Sequence, residues 1–381
     1  MSAGTPALPD YGKTTRLVAR ALKLQPAQLE AALRPATLDD LDAVVSLRRR
    51  VCGQDIYWDD APYLRWRYRL GRSGQGMGEL WVLVRDGELL AMVGTEDMTV
   101  RVAGVATPVH CLMDLLVNPA WQDIGMGLWL NQAMAQRHAN VLAVGCNENS
   151  SGLVNRAFRP LAGRRTHVRP IRFDHYMGRR VPIKPLAWLA SGALNRAARI
   201  NALLTLAPGR QGIRVQREAQ IPHDAEQLFA AALHHDRIEV VRSLAHWRWR
   251  LGSPRGQFDV WVARDPADHA LLGMLVTRRD EFEPGRRCWT GMEMVLSEAR
   301  RDETLRALLW RVVAQAERQG AEYLSFTLRR QDIEPELRRA GFVAHSNPYK
   351  TMSWLCTEPV LRARGEAGAD WSFCDLHTDG D

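Results

Sequence analysis

The stretch NPAWQDIGMGLW, Asn118 to Trp129, lies between CLMDLLV, which has the pattern of a buried strand, and LWLNQAM, which has the pattern of a helix. It sets Gln122, Ile124, Gly125, Met126 and Gly127 where a helix begins. Backbone N–H groups there lack partners and face the positive end of the helix dipole, so such a terminus is an anion site. Glycine removes the side chain that would hold a bulky anion off the backbone and permits unusual φ/ψ. The stretch is thus a cradle fit for a pyrophosphate at the end of a core strand. A second reading stands beside it, in which the glycines only permit a tight turn. Three nearby groups could move a proton. Asp114 sits in the middle of the preceding strand, His110 at its start, and Glu148 after the next strand in VGCNENSS. Each has a plainer reading too, as a paired carboxylate or a satisfied structural histidine.

The elements that must position this stretch come from a duplication. LRWRYRLG (Leu64–Gly71) recurs as AHWRWRLG (Ala245–Gly252), and LWVLVRDGELLAMV (Leu80–Val93) matches VWVARDPADHALLGMLV (Val260–Val276). Met113-Asp114 falls opposite Met292-Glu293, and Ala135-Gln136 opposite Ala314-Gln315. Separate segments that keep nearly one offset mark a tandem repeat. The expected organisation is an N-terminal helical extension (1–30), a first copy (31–175), a helical connector (176–209) and a second copy (210–375). Each copy reads as strand, helix, the Trp-containing helical stretch, a hairpin, a core strand, a helix, a strand, a helix and a final strand. Asp86-Gly87 marks the hairpin turn in the first copy. That order predicts an α+β class (mixed α/β), with a mixed, mostly antiparallel sheet flanked by helices in each copy.

Gln122-x-x-Gly125-x-Gly127 after DLLVNPAW, in this element order, resembles the acyl-CoA-binding motif of the GNAT superfamily of acyl-CoA-dependent N-acyltransferases. That motif is (Arg/Gln)-x-x-Gly-x-(Gly/Ala) between the fourth strand and the third helix. The resemblance covers copy one by motif and copy two by fold pattern. It implies acetyl-CoA as acyl donor and no metal. It implies a splayed strand whose Leu115, Leu116 and Val117 pair with the pantetheine arm. Amides from Gln122 through Asp123, Ile124, Gly125, Met126 and Gly127 would hold the pyrophosphate. An amine would attack the thioester directly, with the oxyanion steadied by backbone N–H. Asp114 is the leading base, with His110 and Glu148 behind it. Asn149 or Asn155 stands for the family's helix-four asparagine, and spacing does not decide which. The tyrosine acid that the family often places there is missing, because NSSGLVNRAFRPLAGRR offers Phe158 and Arg159 instead.

Copy two departs further. LSEARRDETLRALL puts Asp302 and Glu303 at the helix start, where they satisfy the dipole and repel a pyrophosphate. It reads as a degenerate copy that does not bind CoA and that shapes the acceptor cleft or dimerises. The implied function is an N-acyltransferase, specifically an N-acetyltransferase, working through copy one. The alternative is a non-catalytic scaffold or acyl-CoA-binding regulator. A third reading, aminoacyl transfer to a cell-wall precursor from aminoacyl-tRNA, is opposed by the CoA-type loop.

Composition bounds these readings. Hydrophobic residues make up 46% and charged residues 25%, a globular mix. The net charge of +8 rests almost wholly on arginine, and favours anionic ligands without choosing one. Arginines interleaved with Trp66, Trp247 and Trp249 suit nucleic acid. They suit better a helix with Trp66 and Leu70 turned inward and the arginines outward, so no nucleic-acid partner is expected. YGKT at Tyr11–Thr14 lacks the P-loop glycine, Ala7 standing in its place, and GRSGQGMGE (Gly71–Glu79) reads as a hairpin connection. Six scattered cysteines without a CxxC pair point to reduced thiols and no metal site. No spanning apolar run and no secretory signal are apparent, so a cytoplasmic protein is expected. The connector has helical apolar spacing flanked by Lys184, Arg196 and Arg199; it packs as a linker helix or lies on a membrane surface. The acceptor stays open among a small amine, an amino sugar or polysaccharide precursor, and a protein N-terminus. Monomer and homodimer stay open as well.

Overall fold

Asp86 and Gly87 both take positive φ, at 49° and 79°. A type I′ turn requires that, and it joins two consecutive antiparallel strands of the first sheet. The computed structural model describes residues 10–53, 61–70, 76–102, 104–145, 148–161, 163–207, 212–232, 237–283, 286–346, 350–356, 362–364 and 371–377. They fall into two units that do not follow chain order. The first is Met1–Gly163, Ser253–Arg255 and Pro348–Ala369; the second is Arg164–Gly252, Gly256–Asn347 and Asp370–Asp381.

Unit 1 begins with helices α1 (Tyr11–Ala21) and α2 (Pro26–Ala32), then β1 (Leu33–Pro35), α3 (Leu41–Cys52) and α4 (Ala61–Arg67). The hairpin β2 (Gly78–Arg85) and β3 (Glu88–Val102) leads to β4 (Val105–Val117), α5 (Met126–Arg137), β5 (Asn140–Val144), α6 (Glu148–Ala157) and β6 (Arg159–Leu161). One face of the sheet packs on α1 and α5 through Val18, Leu22, Trp129, Leu130 and Met134. The other packs on α3 and α4 through Leu41, Val44, Leu64 and Tyr68. Helix α5 is apolar nearly all round and is correspondingly buried. The indole of Trp129 donates to Thr15 Oγ1 at 3.2 Å and ties α1 to it.

Unit 2 holds β7 (Arg165–Pro170), α7 (Asp174–Arg180), α8 (Lys184–Leu206), β8 (Arg214–Glu218), α9 (Ala225–Ala231), β9 (Ile238–Val240) and α10 (Leu244–Leu251). It continues with β10 (Phe258–Arg264), β11 (Leu271–Glu283), β12 (Arg286–Leu296), α11 (Arg301–Arg318), β13 (Tyr323–Arg329), α12 (Glu334–Arg339) and β14 (Val343–Ser346). Two strands remain: β15 (Met352–Cys356), which belongs to unit 1, and β16 (Trp371–Cys374), which belongs to unit 2.

The strand orders show one architecture used twice. Unit 1 runs β1-β2-β3-β4-β5-β15-β6, with β4–β5 parallel and the other pairs antiparallel. Unit 2 runs β8-β10-β11-β12-β13-β7-β14, with β12–β13 parallel and the other pairs antiparallel. The slot next to the last is filled crosswise. Strand 165–170, at the end of the first sequence copy, completes unit 2. Strand 352–356, at the end of the second copy, completes unit 1. The boundaries read from the sequence, 31–175 and 210–375, run in chain order and do not contain this exchange.

Candidate functional site

In unit 1 the parallel ladder of β4 with β5 ends at Leu112–Ala143. Beyond it β4 has a β-bulge. Met92 pairs with Leu116 and Gly94 with Met113, so Asp114 and Leu115 oppose Val93 alone. Asp114 takes φ +49° to make the bulge. The strand thereby leaves its neighbour and opens a wedge along Met113–Val117, whose Leu115 and Leu116 are only half-buried. Asn118 then turns the chain, its side chain accepting from the Ala120 amide at 3.2 Å. A 3-10 turn (Pro119–Ile124) delivers it to α5. Gln122 Nε2 donates to the Val117 carbonyl at 3.1 Å and fastens that turn to the strand end.

Both glycines have local work. Gly125, just before α5, takes φ +79°. A Cβ on Gly127 would lie 3.2 Å from Leu153 of α6, 3.8 Å from Val117 and 3.9 Å from Leu115. Glycine therefore lets the first turn of α5 close onto the wedge, and sets its unpaired amides beside Leu115 and Val117. Met126 is wholly buried, so its side chain belongs to the core and not to a ligand. Asp123 is exposed, and Ile124 packs on the core.

Asp114 is an ion-paired carboxylate. Arg48 Nη1 lies 3.1 Å away and both side chains are nearly buried. The Tyr68 hydroxyl donates to Asp114 Oδ2. Burial pushes the carboxyl pKa up, but Arg48, Arg67 and the Tyr68 hydroxyl outweigh it, and the net shift is downward. A carboxylate so held is a weak proton acceptor. Arg67 departs from the expectation that the arginines of the Trp motif splay outward. It is fully buried, with Nη2 3.6 Å from Glu96 Oε2, Nε 3.1 Å from Met113 Sδ and Nη1 on the Tyr63 hydroxyl. Arg48, Arg67, Tyr68 and Glu96 escaped the sequence reading. Arginine on a helix reads as solvated, and the neutralising Glu96 sits on a strand that gives no local warning.

His110 meets a partner the sequence did not announce. The β3–β4 register sets Asp97 opposite it, with His110 Nδ1 2.9 Å from Asp97 Oδ1. Arg69 Nη2 holds the same carboxylate at 2.6 Å. The His138 ring lies 3.8 Å from that of His110, and burial, helped by His110, pushes the His138 pKa down to about 4. His110 stands two residues, about 7 Å, before the point where the β4–β5 ladder opens. Glu148, Asn149 and Asn155 lie on α6, and their side chains fall outside the described residues.

No protein-family model and no curated protein sequence matches the chain. Solved structures do match it. A protein of Enterococcus faecalis V583 described as a probable N-acyltransferase aligns with TM-score 0.58 at 9% identity, over 86% of this chain and 72% of that one. A GCN5-related N-acetyltransferase of Kribbella flavida aligns with TM-score 0.55 at 15% identity, over 86% and 72%. The N-myristoyltransferase of Saccharomyces cerevisiae with bound myristoyl-CoA aligns with TM-score 0.53 at 10% identity, over 85% and 82%. The chain has the GNAT fold.

Within that fold β4 is the splayed strand, and α5 the helix that follows the glycine motif. The second GNAT-like unit repeats the geometry and closes it. Its β12–β13 ladder ends at Gly291–Phe326, and a bulge follows at Met292. The wedge beyond is occupied. β16 pairs with β13 through Leu328–Cys374 and Arg329–Phe373, and the whole run Trp371–His377 is buried. Cys374 Sγ lies 3.0 Å and His377 Nε2 3.3 Å from Glu293 Oε2 on β12. Arg330 and Arg242 approach the same carboxylate at 3.0 and 3.4 Å.

Burial opposes ionisation of Glu293, yet Arg242, His377 and Arg330 bring it down to about 2. Burial also holds His377 down to about 3 and pushes the Cys374 thiol well up. Glu293, Cys374 and His377 offer metal-ligand atoms within 4.8 Å of one another, but two guanidiniums already neutralise the carboxylate. Arg300 precedes α11 as Gly125 precedes α5, with φ +52°, and Asp302 takes the place of Gly127. The left-handed turn thus belongs to the fold, and glycine there belongs to unit 1.

Proposed function

We propose that unit 1 transfers an acyl group, acetyl, from acyl-CoA to a primary amine. The carrying observation is the open wedge of β4, which runs into the glycine-started helix α5, set against the filled wedge of unit 2. The names of the neighbouring structures, and the myristoyl-CoA bound in the yeast protein, support the same reading. In it the pantetheine arm pairs with the open edge of β4 at Leu115–Val117. The pyrophosphate lies on the amides of Gly125, Met126 and Gly127, at the positive end of α5. Unit 2 binds no CoA.

The acceptor nitrogen attacks the thioester carbon, and a bulge amide at Asp114 or Leu115 receives the developing oxyanion. The C–S bond breaks and CoA leaves as thiolate. Asp114, held charged by Arg48, fixes the bulge, and His110, backed by Asp97, takes the ammonium proton directly or through water. The acceptor is a small primary amine, amino sugars and polysaccharide precursors included.

The test follows free thiol released from acetyl-CoA across a panel of amines. Wild type turns over on at least one amine. Gly127→Asp, which copies the residue of unit 2, abolishes the signal. His110→Gln lowers kcat about a hundredfold or more at neutral pH while the acetyl-CoA Kd is unchanged. Binding of acetyl-CoA without turnover on any amine favours the acyl-CoA-binding regulator instead.

A further inference from the structure

Helix α8 buries one face through Ala187, Ser191, Ala202 and Leu206, at intervals that return to the same side every three to four residues. Its opposite face is also apolar. Leu186, Leu189, Ile200, Leu203 and Leu204 follow the same helical spacing there and are 53–81% exposed. Trp188 (74%) flanks this stripe, Ile183 (59%) precedes it, and Tyr176 (50%) lies on α7. Of the twelve large hydrophobic side chains that stand exposed among the described residues, eight lie between Tyr176 and Leu204. So concentrated a patch marks an interaction surface rather than ordinary scatter.

The charge along this segment has one sign. From His175 to Arg217 the sequence has no Asp or Glu, while Arg179, Arg180, Lys184, Arg196, Arg199, Arg210, Arg214 and Arg217 are basic. This segment carries a charge equal to the excess of the whole chain, +8. A second copy fits such a face poorly. A twofold interface lays the same patch against itself, cation on cation, with only Asp174 at the start of α7 and Glu317, which Arg199 of α8 already holds, to offset the repulsion. An anionic lipid surface fits both properties, since apolar side chains enter the acyl boundary, Trp sits at headgroup level and Lys/Arg meet phosphates. No described helix is long and apolar enough to cross a membrane, so the helix would lie on it.

We propose that α7 and α8 dock the protein on an anionic phospholipid surface. Leu186, Leu189, Ile200, Leu203 and Leu204 insert, and Lys184 and Arg196 contact the headgroups. This proposal is independent of acyl transfer. Flotation of the full chain with vesicles tests it, comparing pure phosphatidylcholine with phosphatidylcholine containing phosphatidylglycerol. The chain floats with the anionic vesicles, at least about tenfold more than with the neutral ones, and added salt weakens binding. Leu189→Glu with Leu204→Glu, both at exposed positions, removes binding while circular dichroism and melting stay unchanged. Lys184→Gln with Arg196→Gln weakens it and flattens the salt dependence. Equal binding to both vesicle types, binding that survives the Glu pair, or sedimentation showing a lipid-free dimer that the Glu pair dissociates would overturn the proposal.

Discussion

The two units of this chain build the same wedge and treat it oppositely. Each sets a parallel pair of strands that part after a few residues, a bulge on the departing strand and a buried carboxylate, Asp114 or Glu293, held by arginine. Unit 1 leaves the departing strand half-buried and starts the next helix with glycine. Unit 2 fills the gap with Trp371–His377 and starts its helix with Arg300 and Asp302. An open wedge is thus not a by-product of the fold. The duplicated unit stands without one once its own chain supplies the missing strand contacts.

The largest expected effect concerns the exchanged strands. A chain ended at residue 163 keeps β1–β6 but loses β15, which joins β5 to β6. It is expected to show no cooperative melt. Within the full chain, Trp354→Ala on that strand, at 2% exposure, costs about 3–5 kcal/mol of stability. A fragment 1–163 that melts cooperatively would break the claim that each unit depends on the other copy's strand.

Next come the buried carboxylates. Glu293→Gln leaves two buried guanidiniums facing a neutral amide and costs a few kcal/mol in thermal unfolding. The sign with pH follows from its position at about 2, below the ordinary glutamate value. Between those values the unfolded chain binds the proton and the folded one does not, so stability falls as pH drops from about 4.5 toward 2. Glu293→Gln flattens that fall, and an unchanged acid slope would show that the ion pairs contribute nothing. The smallest effect is at the turn. Gly125→Ala costs about 1–2 kcal/mol, because alanine pays for positive φ. Arg300→Gly moves stability the other way by about 1 kcal/mol, less what its pairs with Asp265 and Glu303 return.

The sequence already showed the duplication, the hairpin at Asp86-Gly87, the α+β class and the glycine-started helix. These are local patterns, repeated text and turn chemistry. What it hid depends on distant partners. RTHVRP at 165–170 and MSWLC at 352–356 each read as a strand, but period-two alternation does not say which sheet receives it. Arg67 reads as solvated until β3 places Glu96 beside it. His110 reads as a secondary base candidate or a satisfied structural histidine, and only the register names its partner, Asp97. Nothing local in WSFCDLH, 371–377, says that it plugs the second wedge; only the fold shows it. The offset between copies set Asp302 against the glycines, and the structure sharpens that to Arg300 at Gly125 and Asp302 at Gly127.

The asymmetry of the two wedges is tested most directly by titration calorimetry of the full chain with acetyl-CoA. The account predicts one site per chain, lost in Gly127→Asp and untouched by Asp302→Gly. No binding, two sites per chain, or full binding by Gly127→Asp would contradict it.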